Sequence, residues 1–475
     1  MEFAVGSLDL TIGREPFGRD RVSTLMRKAP VVVAMFLFVT APCSRATAQP
    51  APAPRIEARE VAAEVAQAVD DNYFDVARGH TIAEGLRAKA QSGAYDRLTN
   101  PLDLATALSA YLHPFDGHFA VVYRPDAGPQ GLPGGPHLGG PGPGLRTGPG
   151  PGPRPDPRVA RENYGFGRIE MLPGGIGYAA VTQFAQLDPR SPNDPARLAA
   201  DAALQSLAGS RAIILDLRDS RGGAPAMVAY LASYFVPADA RIFNTFHNRS
   251  GSMSEAPVGD PTGPRRLDTP LYILANGGTG SASESFSYTL QAARRAVIVG
   301  EPTNGRANPG GFVPVSNGFA VFVSGGSPEN PITHTNWEGA GVQPDIAVAS
   351  AEALRRAHGV ALERLLAADP QGPDAPELRW LLDDLRATPA ALSERALQDY
   401  AGSYGEAARV TSDDGVLVLH QGRRAAALRQ VAADVFVSAL DPLLHAAFER
   451  VGGRIAAVTL VTPSGPIARF TRARS

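Results

Sequence analysis

The sequence predicts an α/β protein with a small helical domain before its core and a β-rich module after it. Apolar runs at 212–217, interrupted only by Asp216, and at 271–275 read as strands buried on both faces, each followed by a Gly-containing corner and a helix-spaced segment. Residues 56–112 show helical spacing instead, with Val61, Val65 and Val69 one turn apart. Beyond Ala396 short alternating strands are broken by turn signals such as Asp414-Gly415. The expected organisation is a leader (1–48), a helical domain (49–125), a Gly/Pro-rich insert (126–160), the α/β core (161–350), a helical connector (351–395) and the β module (396–475).

The leader is read from charge and hydropathy. Arg27-Lys28 precede nine apolar residues, Val31 to Val39, and Ala46-Thr47-Ala48 has the pattern of a cleavage site. Nine residues are too few to span a bilayer, so the expectation is an exported, periplasmic or secreted chain with no stable membrane span. Met26, directly before Arg27, is the expected start, with 1–25 an over-extension. A lipid anchor on Cys43 fits poorly beside Pro42. Cleavage after Ala48 removes the single cysteine, and with it any disulfide, thiolate metal site or Cys nucleophile. A net charge of −2 argues against a nucleic-acid partner, and neither cofactor nor metal is expected.

Along the chain, helical segments end in Asp116-Gly117-His118, where Asp-Gly marks a turn before the strand Ala120 to Tyr123. Of the 30 residues from Gly128 to Pro157, 21 are Gly or Pro without a strict triplet, so this insert is expected to be disordered or polyproline-like rather than collagenous. Strands follow at 175–181, 212–218, 271–275 and 296–300, with helices at 195–207, after Pro225, and from Ser281. In the β module a hairpin joins 408–411 to 416–419, and a last pair spans 454–462 and 466–471.

The chemistry centres on Leu271 to Leu290. A strand, the corner Asn276 to Gly280 and a helix start put the Ser281 hydroxyl where free N–H groups and the helix dipole favour negative charge. The same residues also read as an ordinary Ser cap with Glu284 as its capping-box partner. A nucleophilic Ser needs a base, a group that orients the base, and donors for the oxyanion. Lys28 and Lys89 are the only lysines, which excludes a Ser–Lys dyad drawn from the core. His118 is the best placed of nine histidines, with His113 and His334 as rivals and His137 in the insert. Glu338, between Trp337 and a Gly-rich turn, is the candidate acid or else a turn carboxylate. Gly222 and Gly223 would let backbone N–H groups approach a substrate closely, unless they form a simple turn.

Together, Asp216 to Gly223, Thr279 to Glu284, Gly300 to Thr303, Ala307 to Gly311 and Asn336 to Asp345 resemble the S41-type, or tail-specific (carboxy-terminal-processing), serine peptidases. The resemblance is to the branch of the tricorn core and the interphotoreceptor retinoid-binding protein repeats. It implies a crotonase/ClpP-like core and hydrolysis of peptide bonds in peptides or unfolded protein segments. It further implies Ser281 as nucleophile, His118 as base, Glu338 orienting it, and N–H groups of Gly222, Gly223 and Ala282 as the oxyanion hole. Arg306 stands where the processing proteases carry a basic Lys, and Arg cannot serve as a base at working pH. The insert is too short for the PDZ domain of many relatives. The alternatives are a non-catalytic module for apolar ligands or peptides on the same core, and an esterase. If His118 is the base, activity is expected to rise through an ordinary imidazole pKa. The sequence gives no oligomeric state.

Overall fold

Helices α1 (Ala58–Asn72) and α2 (Val76–Gln91) pack through the predicted stripes, burying Val61, Val65 and Val69 against Ile82 and Leu86. Asn100 caps α3 (Pro101–Leu112), accepting the Leu102 N–H at 2.9 Å, with Pro101 at the first helical position. The computed structural model describes residues 57–125, 157–188, 191–257, 261–388 and 392–473. The leader with Met26 and Cys43, and most of the Gly/Pro-rich stretch with His137, lie outside the described residues.

Strand β1 (Ala120–Tyr123) leaves the helical part for a three-stranded sheet not visible in the sequence. The short helix α4 (Pro157–Arg161) opens the next described segment. Then β2 (Phe166–Leu172) and β3 (Ile176–Val181) form an antiparallel pair. The β–α alternation continues as α5 (Pro195–Ser206), β4 (Ala212–Asp216) and α6 (Pro225–Ser233). A hairpin of β5 (Thr245–Asn248) and β6 (Gly251–Ser254) precedes β7 (Leu271–Ala275), α7 (Ala282–Ala292) and β8 (Ala296–Gly300). The remaining core strands are β9 (Gly310–Pro314), β10 (Phe319–Ser324), β11 (Gly326–Glu329) and β12 (Ile346–Ala347).

The central sheet has the order β12-β8-β7-β4-β3-β2, parallel except for β2. Every residue of β4 and β7 is buried, as the apolar runs 212–215 and 271–275 require of strands covered on both faces, and Asp216 at the end of β4 is paired with Arg218. Alternation sorts them: Ile213, Leu215, Leu271 and Ile273 face the core that includes α5, α6 and α7. Ala212, Ile214, Tyr272 and Leu274 face α8 (Ala353–Ala368) and α9 (Ala375–Arg386). Each such side chain contributes about 1.5–3 kcal/mol by leaving water. A charge at Ile273 would remove that term and bury an unpaired ion.

Two smaller sheets flank this one. In the order β1-β10-β9, antiparallel pairing sets Val121 opposite Val321, and Phe319, Val321 and Val323 complete the helical core. The other sheet, β11-β5-β6, carries the hairpin beside the α6–α7 side of the core.

The expected β-rich module is an eight-stranded antiparallel meander: β13 (Gly402–Tyr404), β14 (Ala408–Asp413), β15 (Val416–Gln421), β16 (Arg424–Ala432), β17 (Val435–Ser438), β18 (His445–Val451), β19 (Arg454–Thr462) and β20 (Gly465–Thr471). Gly405 N–H donates to Thr471 O and Ala473 N–H to Ser403 O, both at 2.9 Å, joining the first strand to the chain end in a barrel. Short helix α10 (Glu394–Tyr400) adds Leu397 and Tyr400 to its core. Asp414 and Gly415 have positive φ, as a type I′ hairpin requires. A buried His445–Asp384 pair at 2.8 Å, with Trp380 stacked on the imidazole, ties β18 to α9.

Candidate active site

The loops after β4 and β7 lie side by side because the two strands are parallel neighbours, and loops at such strand ends build α/β sites. Side chains stitch them together. Thr279 Oγ1 donates to Leu217 O at 2.8 Å, Gly280 N–H to Ser220 O at 2.9 Å, and the buried Ser220 and Ser283 hydroxyls meet at 2.8 Å. Asn276 Oδ1 accepts from both Asp219 and Gly278 N–H at 3.0 Å.

Between these bonds Ser281 takes φ 54° and ψ −120°, a backbone conformation costly for any residue with a Cβ. Gly222 (φ 96°) presses on it: a Cβ there would lie 2.6 Å from Gly280 O, 2.7 Å from Ala282 N and 2.8 Å from Ser281 Cβ. Gly223 is bridged to Phe184, whose carbonyl oxygen would sit 2.0 Å from an added Cβ. Ala282 is the first residue of α7, so its N–H has no acceptor within the helix. Gly222 is thus against Ser281, and Gly223, Ser281 and Ala282 line one narrow cleft. Val228, Phe246, Ala307, Pro309 and Trp337 give it apolar walls, and it holds about 20 Å³ of free space. Larger cavities of about 400 and 470 Å³ lie along α8 and α9, away from this chemistry.

Glu284 accepts the Ser281 N–H at 2.7 Å, as its capping-box position predicts. It also accepts from Thr303 Oγ1 at 2.6 Å and from the N–H groups of Gly305 (2.6 Å) and Arg306 (3.0 Å). Burial pushes its carboxyl above the ordinary range, against the pull of those donors. Glu338 accepts N–H bonds from Gly117 (2.9 Å), Ala307 (2.7 Å) and Asn308 (3.2 Å). Burial raises its pKa too, helped by Asp116 and opposed by the three bonds. Trp337 beside it is buried and donates to Arg306 O at 3.3 Å.

His118 stacks on Phe322 with ring centroids 5.4 Å apart, and its backbone N–H donates to Asp116 Oδ1 at 2.9 Å. Burial pulls the imidazole down to about 4, Asp116 opposing and Arg306 adding to the effect. That replaces the expectation of an ordinary imidazole titration. Its Nδ1 is enclosed without a partner, and among the described residues no hydrogen bond joins His118 to Glu338 or Ser281. Polar atoms of Asp116, His118 and Glu338 nevertheless lie within 4.8 Å of one another. That is the one group of metal-ligating type among the described residues, yet five N–H donors already occupy its two carboxylates. Such saturation fits anchoring better than metal ligation.

The sequence singled out neither Asp116 nor Glu255. Asp116 was legible only as half of an Asp-Gly turn, whereas it bonds Asn308 Nδ2 at 2.9 Å. The rivals of His118 sit differently: His113 caps α3 in solvent, and exposed His334 pairs with Glu329 at 3.7 Å. Lys89, on α2, lies over the Tyr111 ring of α3, and Arg306 is exposed beside Gly117.

Residues 175–348 match the family model described as peptidase family S41. The chain is 30% identical over 188 residues to the chloroplastic carboxyl-terminal-processing peptidase 2 of Arabidopsis thaliana, covering 38% of this chain and 34% of that protein. It is also 30% identical over 174 residues to the carboxyl-terminal-processing protease of Synechocystis sp., covering 36% and 38% respectively. The chain thus spans little more than a third of the length of these relatives. A solved photosystem II D1 C-terminal processing protease shares 19% identity at a TM-score of 0.39, covering 68% of this chain and all of that one.

Proposed function

We propose that this chain, which belongs to peptidase family S41 through residues 175–348, is an exported serine peptidase acting on peptides or unfolded protein segments. The observation that carries the reading is the backbone of Ser281. A strained, non-Gly conformation at a strand-to-helix corner persists only where the surroundings over-determine it, and such strain clusters at reacting groups. In this reading Ser281 Oγ attacks the scissile carbonyl carbon and gives its proton to His118. The imidazole then returns that proton to the leaving amine, and water repeats the sequence to release the acid. N–H groups of Gly222, Gly223 and Ala282 receive the developing oxyanion.

Burial keeps the His118 ring neutral, and so able to accept a proton, throughout the neutral range, while also making it a weaker base than a free imidazole. Glu338 contributes by fixing the backbone N–H of Gly117, one residue before His118, and through its negative charge near the imidazolium that forms. The Val31 to Val39 run and the A-x-A site support export. Among the described residues no helix is long and apolar enough to cross a membrane.

The unpaired Nδ1 of His118 favours a second reading, a non-catalytic module that holds peptides in the apolar cleft. Incubation with a fluorophosphonate separates the two. An adduct on Ser281 supports the peptidase, whereas folded protein with no adduct and no peptide hydrolysis supports the binder.

A further inference from the structure

The enclosed or half-buried carboxylates around Ser281 are hydrogen-bonded: Glu284 has four donors, Glu338 three and Asp116 two. Glu255 is the exception. It follows β6, and its backbone is fixed by an N–H bond to Asn244 O at 3.0 Å. The residue as a whole is partly open, yet its Oε2 is enclosed and accepts no hydrogen bond among the described residues. It lines the same cleft as Ser281, among the apolar walls of Val228, Phe246 and Trp337. Burial pushes its carboxyl up to about 8.

An acceptor left unpaired in an apolar wall is costly, and an arriving donor removes that cost. We propose that Glu255 sets the specificity of the cleft, receiving a side chain with a hydrogen-bond donor on the residue whose carbonyl Ser281 attacks. The ligand class is a short side chain ending in a hydroxyl, because about 20 Å³ of free space admits no longer stem. Its carbon lies against the apolar walls and the O–H reaches Oε2. A plain aliphatic side chain would seal the acceptor from water and give it nothing, the situation in which enzymes discriminate most strongly. This inference rests on Ser281 being the nucleophile.

Matched peptides test it, serine against alanine and threonine against valine at the residue before the scissile bond. Binding is measured on Ser281→Ala protein by fluorescence anisotropy, and turnover on the unmodified enzyme. The donor-bearing member of at least one pair is expected to bind and react about tenfold better or more. Glu255→Leu is expected to level that pair, and Glu255→Gln, which keeps an acceptor and controls for folding, to retain part of the preference. Equal affinity within both pairs, or a preference that survives in folded Glu255→Leu, overturns the proposal. A pairwise binding preference without any fluorophosphonate adduct on Ser281 overturns the nucleophile reading and leaves the donor-binding role of Glu255 standing.

Discussion

Ser281 and Glu284 hold one another in place across the first turn of α7: the Ser281 N–H donates to Glu284 Oε2 at 2.7 Å. The same carboxylate grips Thr303, Gly305 and Arg306, and the next two residues, Ala307 and Asn308, donate to Glu338, which also grips Gly117. Buried Glu284 and half-buried Glu338, in series, thus connect the Ser281 corner to the loop of His118 through one short segment, 303–308. Glu284 keeps the capping role that its spacing predicts and also anchors that segment.

Removing one acceptor from this relay should be expensive. Glu284→Gln turns an NH₂ group toward donors that need an acceptor, so we expect a loss of about 3 kcal/mol or more in urea unfolding. Fluorophosphonate labelling of the residual folded protein should fall as well. Unchanged stability would mean the four bonds are dispensable.

The strain at Ser281 predicts a trade between stability and activity. Ser281→Ala keeps a Cβ at positive φ, whereas Ser281→Gly relieves it. Thermal melts should therefore rank the glycine variant above the alanine variant by about 1–2 kcal/mol, with both inactive. An alanine variant at least as stable would deny the strain.

Gly222→Ala tests the neighbouring loop. Its Cβ would come within 2.6–2.8 Å of Gly280, Ser281 and Ala282, and its φ of 96° disfavours any side chain. Displacing oxyanion donors should lower the labelling rate about 100-fold or more. Wild-type labelling by Gly222→Ala would remove Gly222 from the oxyanion hole.

Much of this site was legible because its signals are local. Strand β7, the Gly corner, Ser281 and the start of α7 occupy one continuous stretch, and β1, β8 and the Asp414-Gly415 turn follow from short-range patterns. What escaped depends on pairing across the chain. Asp116 meets Asn308 192 residues away, and β10 finds β1 about 200 residues earlier. Strand β6, Gly251 to Ser254, is exposed at every position and has no apolar alternation to announce it. Glu255 beyond it carries no local signal that sets it apart from a surface acid. Barrel closure is likewise a contact between distant ends.

The depressed pKa of His118 predicts two pH effects. The acid limb of kcat/KM should lie near pH 4 rather than 6.5, because the ring stays neutral down to that point. The unfolded chain binds the proton first as pH falls below 6.5, so folding stability should decline between pH 6.5 and 4, by an amount on the order of 3 kcal/mol. Urea titrations of the wild type and His118→Phe should differ in slope across that window. Parallel curves would show that the imidazole is not desolvated.

The central claim is that Ser281 is a nucleophile served by His118, and mass spectrometry after fluorophosphonate treatment of wild type and His118→Ala tests it most directly. The prediction is one adduct, on Ser281, forming at least 100-fold more slowly in the variant. No adduct on folded wild-type protein, or an undiminished rate in His118→Ala, would contradict it.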